Sequence, residues 1–349
     1  MIGSYIILAL VSLCGMRFSA RDGFDPLDRR TTTSIKGIFI CMVFITHMCG
    51  YIPAESPAYA GLGGYLFWTI RRIFGQLIVV MFLFYSGYGV MASIQSKGQE
   101  YVKAMPKKRI LTTLLNFDVA VLLFVIVDLA LGVDLQFGKT LLAFTGWTSV
   151  GNSNWYIFVI LACYLIAWIC GAVKSAWALP ILAVSAVMML VLSFVKESYW
   201  HNTMMAFPCG CVYASQRTRI DALIKRHYRS VLAGCSAAFF LIYGYNWFRG
   251  DFHGLVHNLV SVLFAALVIV LSFKIKIGNP VLYWLGERLF PIYIYQRIPM
   301  LMGSRILGSD FISTHWVAYV TGCLVITLAI AWAYPWWRIR LVGGGGCRE

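Results

Sequence analysis

The chain has 349 residues, 60% of them hydrophobic and only 12% charged, with a mean hydropathy of +0.75. Soluble domains carry roughly 25% charged residues, so a water-soluble fold is excluded, and apolar runs recurring from end to end describe one polytopic membrane domain. The formal net charge of +15 does not signal a nucleic-acid partner, because the cations sit in short loops between apolar runs and face a lipid bilayer.

Residues 2–16 (IGSYIILALVSLCGM) are apolar but short and lack a basic leader. The FSA before Arg21 resembles a cleavage site, yet a retained first span is the expectation. The linker 17–33 mixes Arg17, Arg21, Arg29 and Arg30 with Asp22, Asp25 and Asp28. Further spans are predicted at 35–52, 72–94, 110–132, 154–173, 177–195, 202–215, 230–248, 254–273, 281–303 and 314–336. The whole is an all-α bundle of about eleven transmembrane helices. The run 202–215 is too short to cross untilted and reads as a kinked or partial span. Residues 1–30 form an N-terminal span and linker, 31–337 the membrane domain and 338–349 a flexible tail. The tail's Gly343 to Gly346 lack the flanking strand and helix of a phosphate loop.

Loop charge orients these spans, since short loops rich in Lys and Arg stay cytoplasmic. Cations cluster at Lys97 to Arg109, at Arg217 to Arg229, at Lys274 and Lys276, and at Arg338, Arg340 and Arg348. With eleven spans all these clusters share the side of residues 17–33, as expected of a multi-pass protein of the inner (plasma) membrane. Arg71 and Arg72 begin a span on the opposite side, either as interfacial anchors or as contacts for an anionic ligand. Ten scattered cysteines form no CxxC pair and read as small apolar residues. No internal repeat marks an inverted-repeat transporter, and no GxSxG elbow marks a hydrolase.

The organising stretch is 34–52, SIKGIFICMVFITHMCGYI, with Lys36 at its entrance and His47 deep inside. A helix rises about 1.5 Å per residue, so the path from Lys36 to His47 covers roughly 16 Å, about half of a hydrocarbon layer roughly 30 Å thick. An ionisable group at that depth is costly and is by default a functional candidate, the plainer reading being a histidine bonded to a neighbouring span. Asp118 lies inside the fourth predicted span and either orients His47 or pairs with Arg109. Asp128 reads as interfacial. Glu287, Arg288 and Arg297 read either as a polar wall for substrate or as a structural ion-pair network. His253 and His257 are spaced by four, but no HExxH accompanies them, so no metal is expected and they read as interfacial.

These residues resemble the acyltransferase-3 family of integral-membrane O-acyltransferases. The family's basic residue, ten residues, then histidine appears as Lys36 to His47, with lysine where arginine is common. Its serine–glycine pair appears in VVMFLFYSGYGV as Ser86 and Gly87, and its basic patch as PKKRI, from Pro106 to Ile110. Only Arg109 of the family's double arginine carries over, Pro106 holding the earlier position. SNWYIF (Asn154, Trp155, Tyr156) matches a mid-chain aromatic element, and LGERLFPIYIYQRIP supplies Gly286 and Tyr293, with Gln296 where many members have histidine. The resemblance runs from about residue 31 to 336, comprises a ten-helix core, and leaves the first span outside.

It implies transfer of an acyl group, expected to be acetyl, from cytosolic acyl-CoA (acetyl-CoA as co-substrate, no resident cofactor) to an extracytoplasmic or lipid-linked glycan. An imidazole titrates in the range suited to a general base for a sugar hydroxyl, which makes His47 the catalytic candidate. Lys36, Lys107, Lys108 and Arg109 lie where the phosphates of acyl-CoA would dock, although topology setting is the better explanation for each of the lysines at 107 and 108 taken alone. Asn154, Trp155, Tyr156, Tyr293, Gln296 and Arg297 are the remaining substrate-binding candidates, Trp155 and Tyr156 being equally at home in an aromatic belt. The alternative is a transporter of a glycan or small solute with His47 and Asp118 as a proton relay.

Overall fold

Apolar runs punctuated by glycine and proline fold into helices, because a backbone in hydrocarbon must satisfy its own hydrogen bonds. The computed structural model describes residues 1–19, 23–173, 178–249 and 254–341. In chain order the helices are α1 (Ile2–Leu13), α2 (Arg29–Met48), α3 (Gly61–Phe74), α4 (Val80–Met105), α5 (Thr112–Ala130), α6 (Phe137–Ala143), α7 (Trp155–Ala172) and α8 (Ala178–Val195). They continue as α9 (Ala206–Ser215), α10 (Arg217–Arg226), α11 (Tyr228–Arg249), α12 (Gly254–Ser272), α13 (Pro280–Glu287), α14 (Leu289–Tyr295), α15 (Arg297–Thr314) and α16 (Trp316–Ala333). Among the described residues the strands are β1 (Met16–Phe18) and β2 (Ile275–Ile277), an antiparallel pair with Met16 opposite Ile277. The protein is an all-α membrane protein.

Among the described residues, seven helical stretches are long and apolar enough to cross a membrane, one of them the run 61–130 that takes in α3, α4 and α5. Three predicted spans are built differently. The first is α1, whose 12 residues rise about 18 Å, short of a full crossing. It is nonetheless packed: Tyr5 is buried, the Met1 amino group donates to the Ala58 carbonyl, and Asn279 donates to the carbonyls of Val11 and Cys14. The segment 202–215 becomes the 10-residue α9, the partial span its length required. The run 281–303 is divided among α13, α14 and the start of α15, with breaks at Arg288 and Gln296.

The third predicted span also starts elsewhere. A break at Gly75, with φ of 39°, separates the unforeseen α3 from a 3₁₀ turn (75–79) and α4. The basic stretch after the third predicted span is helical rather than a loop. Gly98, with φ of 58°, turns the chain there, and a π-helical turn at Pro106–Leu111 leads directly into α5. π-turns of this kind recur at functional sites. This one holds Pro106, Lys107, Lys108 and Arg109.

Helix pairs meet backbone to backbone where glycine removes the Cβ. A Cβ on Gly37 would collide with the Leu282 carbonyl and one on Gly286 with that of Thr33, so α2 and α13 touch directly. Gly87 against Phe207 and Gly210 against Phe84 bring α4 and α9 equally close.

The basic clusters gather at one end, as the loop charges predicted. Arg217 pairs with Asp25 at 2.7 Å, Lys276 with Asp28 at 3.1 Å and Arg29 with Glu287 at 3.8 Å. Asp28 also caps α2, accepting from the Thr31 amide, and Asn116 joins α5 to Ile339. Arg21, Asp22, His253, Gly343 to Gly346 and Arg348, all singled out in the sequence, lie outside the described residues.

Candidate active site

Helix α2 carries both ends of the site. Eleven residues at about 100° each return Lys36 and His47 to within roughly 20° of one another, so both lie on one face of the helix. At the level of Lys36 two adjoining cavities open. One, of about 460 Å³, is lined by Arg29, Thr33, Lys36, Tyr85, Tyr88 and Glu287, among others. The other, of about 380 Å³, shares Lys36, Tyr85, Gly286 and Glu287 with the first. It runs past Ser86, Arg109 and Tyr164 to Phe82 and Tyr156.

The basic end of this path is charged and its depth is aromatic. Arg109 stands in the wall with its Nε donating to the Tyr101 hydroxyl at 3.2 Å. Deeper in, the Ser86 and Tyr164 hydroxyls are 2.7 Å apart, while the Tyr85 hydroxyl is buried with no hydrogen-bond partner. The motif pair Ser86–Gly87 is thereby divided: the serine lines the cavity and the glycine admits α9.

Beyond Tyr156 lies a second polar group of residues. The Tyr156 ring contacts that of Tyr293 at 5.1 Å between centroids, and Tyr293 lies 6.3 Å from the His47 ring. Tyr293 and Tyr156 therefore stand between the cavity and the imidazole. His47 Nδ1, the Tyr293 hydroxyl and Gln296 Oε1 are all buried and unpartnered. Buried polar groups are normally satisfied, so such a cluster calls for an explanation. Gln296 is fully buried, its amide reaching the Tyr293 carbonyl at 3.3 Å. Past it, Arg297 donates to the Tyr51 hydroxyl at 3.1 Å and to the Asn152 carbonyl at 3.3 Å.

The predicted residues thus separate into groups. Lys36, Arg109 and Tyr156 share the cavity wall. His47, Tyr293 and Gln296 form the group behind it, and Arg297 lies at the far end. Asn154 and Trp155 do not line the cavity: the Asn154 amide holds the Gly146 carbonyl at 2.8 Å, and Trp155 packs edge-on against Tyr199. Lys107 and Lys108 are exposed on the π-turn, outside the wall.

Glu287, Arg288 and Arg297 do not make one polar wall, because the helical path from Glu287 to Arg297 rises about 15 Å and carries them to different levels. Glu287 borders the cavities and pairs with Arg29, Arg288 lies over the Trp284 ring at 4.2 Å, and Arg297 is at the opposite end. Asp128, two residues from the end of α5, is buried against protein, and Asp118 Oδ1 is buried without a partner. His257, in the first turn of α12, is buried close to the Asn202 carbonyl and Ser261. No group of potential metal ligands occurs among the described residues.

Sequence reasoning missed Tyr85 and Tyr164, whose roles arise only from the meeting of α4 and α7. It also treated Arg71 and Arg72 alike. One helical step turns them in different directions: Arg72 lies over Trp247 at 4.1 Å, as an anchor would, whereas Arg71 points inward, its Nε buried.

A multi-pass helical membrane protein with a cavity leading from a basic end toward an intramembrane histidine is the class these features define. Residues 33–335 match the family model described as the acyltransferase domain of the acyltransferase-3 type, and the chain belongs to that family. It is a membrane acyltransferase acting on groups other than aminoacyl groups. No curated protein and no solved structure matches the chain.

Proposed function

We propose that the protein moves an acetyl group from cytosolic acetyl-CoA to a hydroxyl of an extracytoplasmic or lipid-linked glycan, in the plasma membrane, with His47 as general base. The observation that carries this is the cavity of about 380 Å³, which starts between Lys36 and Arg109 and ends on Tyr156, in contact with the tyrosine beside His47. Lys36 and Arg109 receive the donor's phosphates, Arg109 by two parallel charge-assisted hydrogen bonds. The acyl-bearing arm extends along Tyr85, Ser86 and Tyr164, whose hydroxyls are suited to its amides. The acceptor enters from the opposite end, past Arg297.

In the reaction the acceptor oxygen attacks the thioester carbonyl, a C–O bond forms and the C–S bond breaks. His47 takes the hydroxyl proton through Nδ1 and returns it to the departing thiolate, so no net proton is gained or lost. A positioned base of this kind contributes about 10²–10⁴-fold. Family membership favours this reading over a transporter with His47 and Asp118 as a proton relay.

The test is His47→Ala in purified protein supplied with acetyl-CoA and a glycan acceptor. Acetyl transfer falls by at least about 10²-fold while acetyl-CoA still binds. Turnover at the wild-type rate refutes the assignment.

A further inference from the structure

Two arginines lie near His47 on the side away from the donor cavity, and neither has a carboxylate partner among the described residues. The ion pairs at Arg29, Arg217 and Lys276 are all at the basic end. Arg71 projects from α3, lies over the Trp68 ring at 5.2 Å and reaches the Cys49 thiol, two residues beyond His47. Its Nε is buried without a hydrogen-bond partner. Arg297 is held at the start of α15 by the Tyr51 hydroxyl and the Asn152 carbonyl, both neutral. The charges of both arginines bear on His47. Glu55, in the same connection as Tyr51, is exposed and pairs with neither.

Two cations close to one imidazole in a low-dielectric environment are costly without a counter-charge. The unsatisfied buried groups nearby are rich in donors: Arg71 Nε, Asn152 Nδ2 and the hydroxyls of Ser153 and Tyr293. His47 Nδ1 and Gln296 Oε1 remain to accept from hydroxyls, the former when the imidazole proton is on Nε2. Such a set fits an oxygen-rich ligand that carries hydroxyls at one place and negative charge at another. Guanidinium groups are suited to oxyanions because their planar fork makes paired, charge-assisted bonds.

We infer that Arg71 and Arg297 form the acceptor subsite, and that the acceptor is an anionic glycan whose carboxylate or phosphate they bind while a neighbouring hydroxyl meets His47. This rests on the transferase reading and names its acceptor class. The oxyanion belongs either to an acidic sugar or to the phosphate linking a sugar to a lipid carrier, and both present the same chemistry to two guanidiniums.

The experiment measures binding to the full-length protein in nanodiscs of zwitterionic lipid. Its probes are a tetrasaccharide containing glucuronate, the same tetrasaccharide with its carboxyls reduced, and a prenyl-phosphate-linked glucose. One of the two anionic probes binds at least about tenfold more tightly than the carboxyl-reduced one, and which one does so identifies the source of the charge. Arg71→Gln and Arg297→Gln each bring that affinity down to the neutral level, whereas Arg71→Lys retains part of the preference. Acetyl-CoA binding, at the opposite end of the path, stays within about twofold in each variant and reports that the variant is folded. Equal binding of all three probes, binding of none, or a preference that survives both glutamine variants overturns the inference. Should the glutamine variants fail to fold, the wild-type preference and Arg71→Lys decide it. Failure of the wild type to bind or consume acetyl-CoA is a separate result that strikes the transferase reading itself.

Discussion

Arg109 shows what one residue in this site is asked to do. Its guanidinium is set by the Tyr101 hydroxyl from about two turns before it, and the π-turn aims it into the cavity instead of outward with Lys107 and Lys108. A hydrogen bond to a charged group contributes about 1.5–3 kcal/mol, which is roughly tenfold to a hundredfold in an equilibrium. Arg109→Ala is therefore expected to raise the apparent KM for acetyl-CoA by that factor and to leave kcat within about threefold. Steady-state kinetics with acetyl-CoA varied at saturating acceptor measures both, and an unchanged KM would remove Arg109 from donor binding. The sequence made Lys36 and His47 legible because charge in an apolar run is conspicuous whatever surrounds it, while Arg109 stood out from its basic cluster only through the resemblance to the family's motif. Tyr85 and Tyr164 were illegible because tyrosines abound in membrane proteins, and Arg71, though conspicuous, could not be told from Arg72, since that division depends on which neighbour each helical face meets.

At the scale of elements, the long uniform helices could be read from hydropathy alone, and the interrupted ones could not. Hydropathy does not see Gly75 or the breaks at Arg288 and Gln296, which fall inside largely apolar stretches, and it reads the polar stretch around Gly98 as a loop although that stretch is helical on both sides. Those breaks nevertheless place Gly286 at α2, Tyr293 beside His47 and Arg297 beyond it within one short stretch of chain. The crossings that fix them are contacts of backbone on backbone. Association in lipid depends on close packing of this kind, since burial of apolar surface drives it little. At Gly37 an alanine methyl would fall inside the Leu282 carbonyl, so α2 and α13 must separate to admit it. Overpacking typically costs about 1–3 kcal/mol, occasionally more, and because the obstacle here is backbone Gly37→Ala is expected at or above the top of that range. Gly322, within α16, meets nothing within 4 Å, and Gly322→Ala should be neutral or stabilising by up to about 1 kcal/mol. Thermal unfolding of both variants in detergent makes the comparison, and equal midpoints would show that the α2–α13 contact is looser than described.

Across the whole molecule, one end is held by ion pairs and strand pairing and the other by hydrogen bonds. At the basic end, β1 pairs with β2 and ion pairs connect Arg217 with Asp25 and Lys276 with Asp28, each half-exposed. Exposed pairs contribute only about 0–1 kcal/mol each, so their chief effect is to keep cations around the mouth of the cavity. At the far end, Ser56 bonds the Ser313 carbonyl, Tyr243 the Ile73 carbonyl, and Arg297 bonds Tyr51. A protein polarised in this way should take its two substrates from opposite compartments. Acetyl-CoA is highly charged and does not cross a bilayer unaided, so reconstitution into sealed vesicles separates the alternatives. With the basic loops facing outward, external acetyl-CoA should yield free CoA when acceptor is enclosed in the lumen. In vesicles of the reverse orientation the same addition should yield none until the membrane is permeabilised. Orientation is established independently by protease access to the basic stretch between α9 and α11, at Arg217 to Arg229. CoA release in both orientations at equal rate would mean that donor reaches the imidazole from either side, and the division between a donor end and an acceptor end would have to be abandoned.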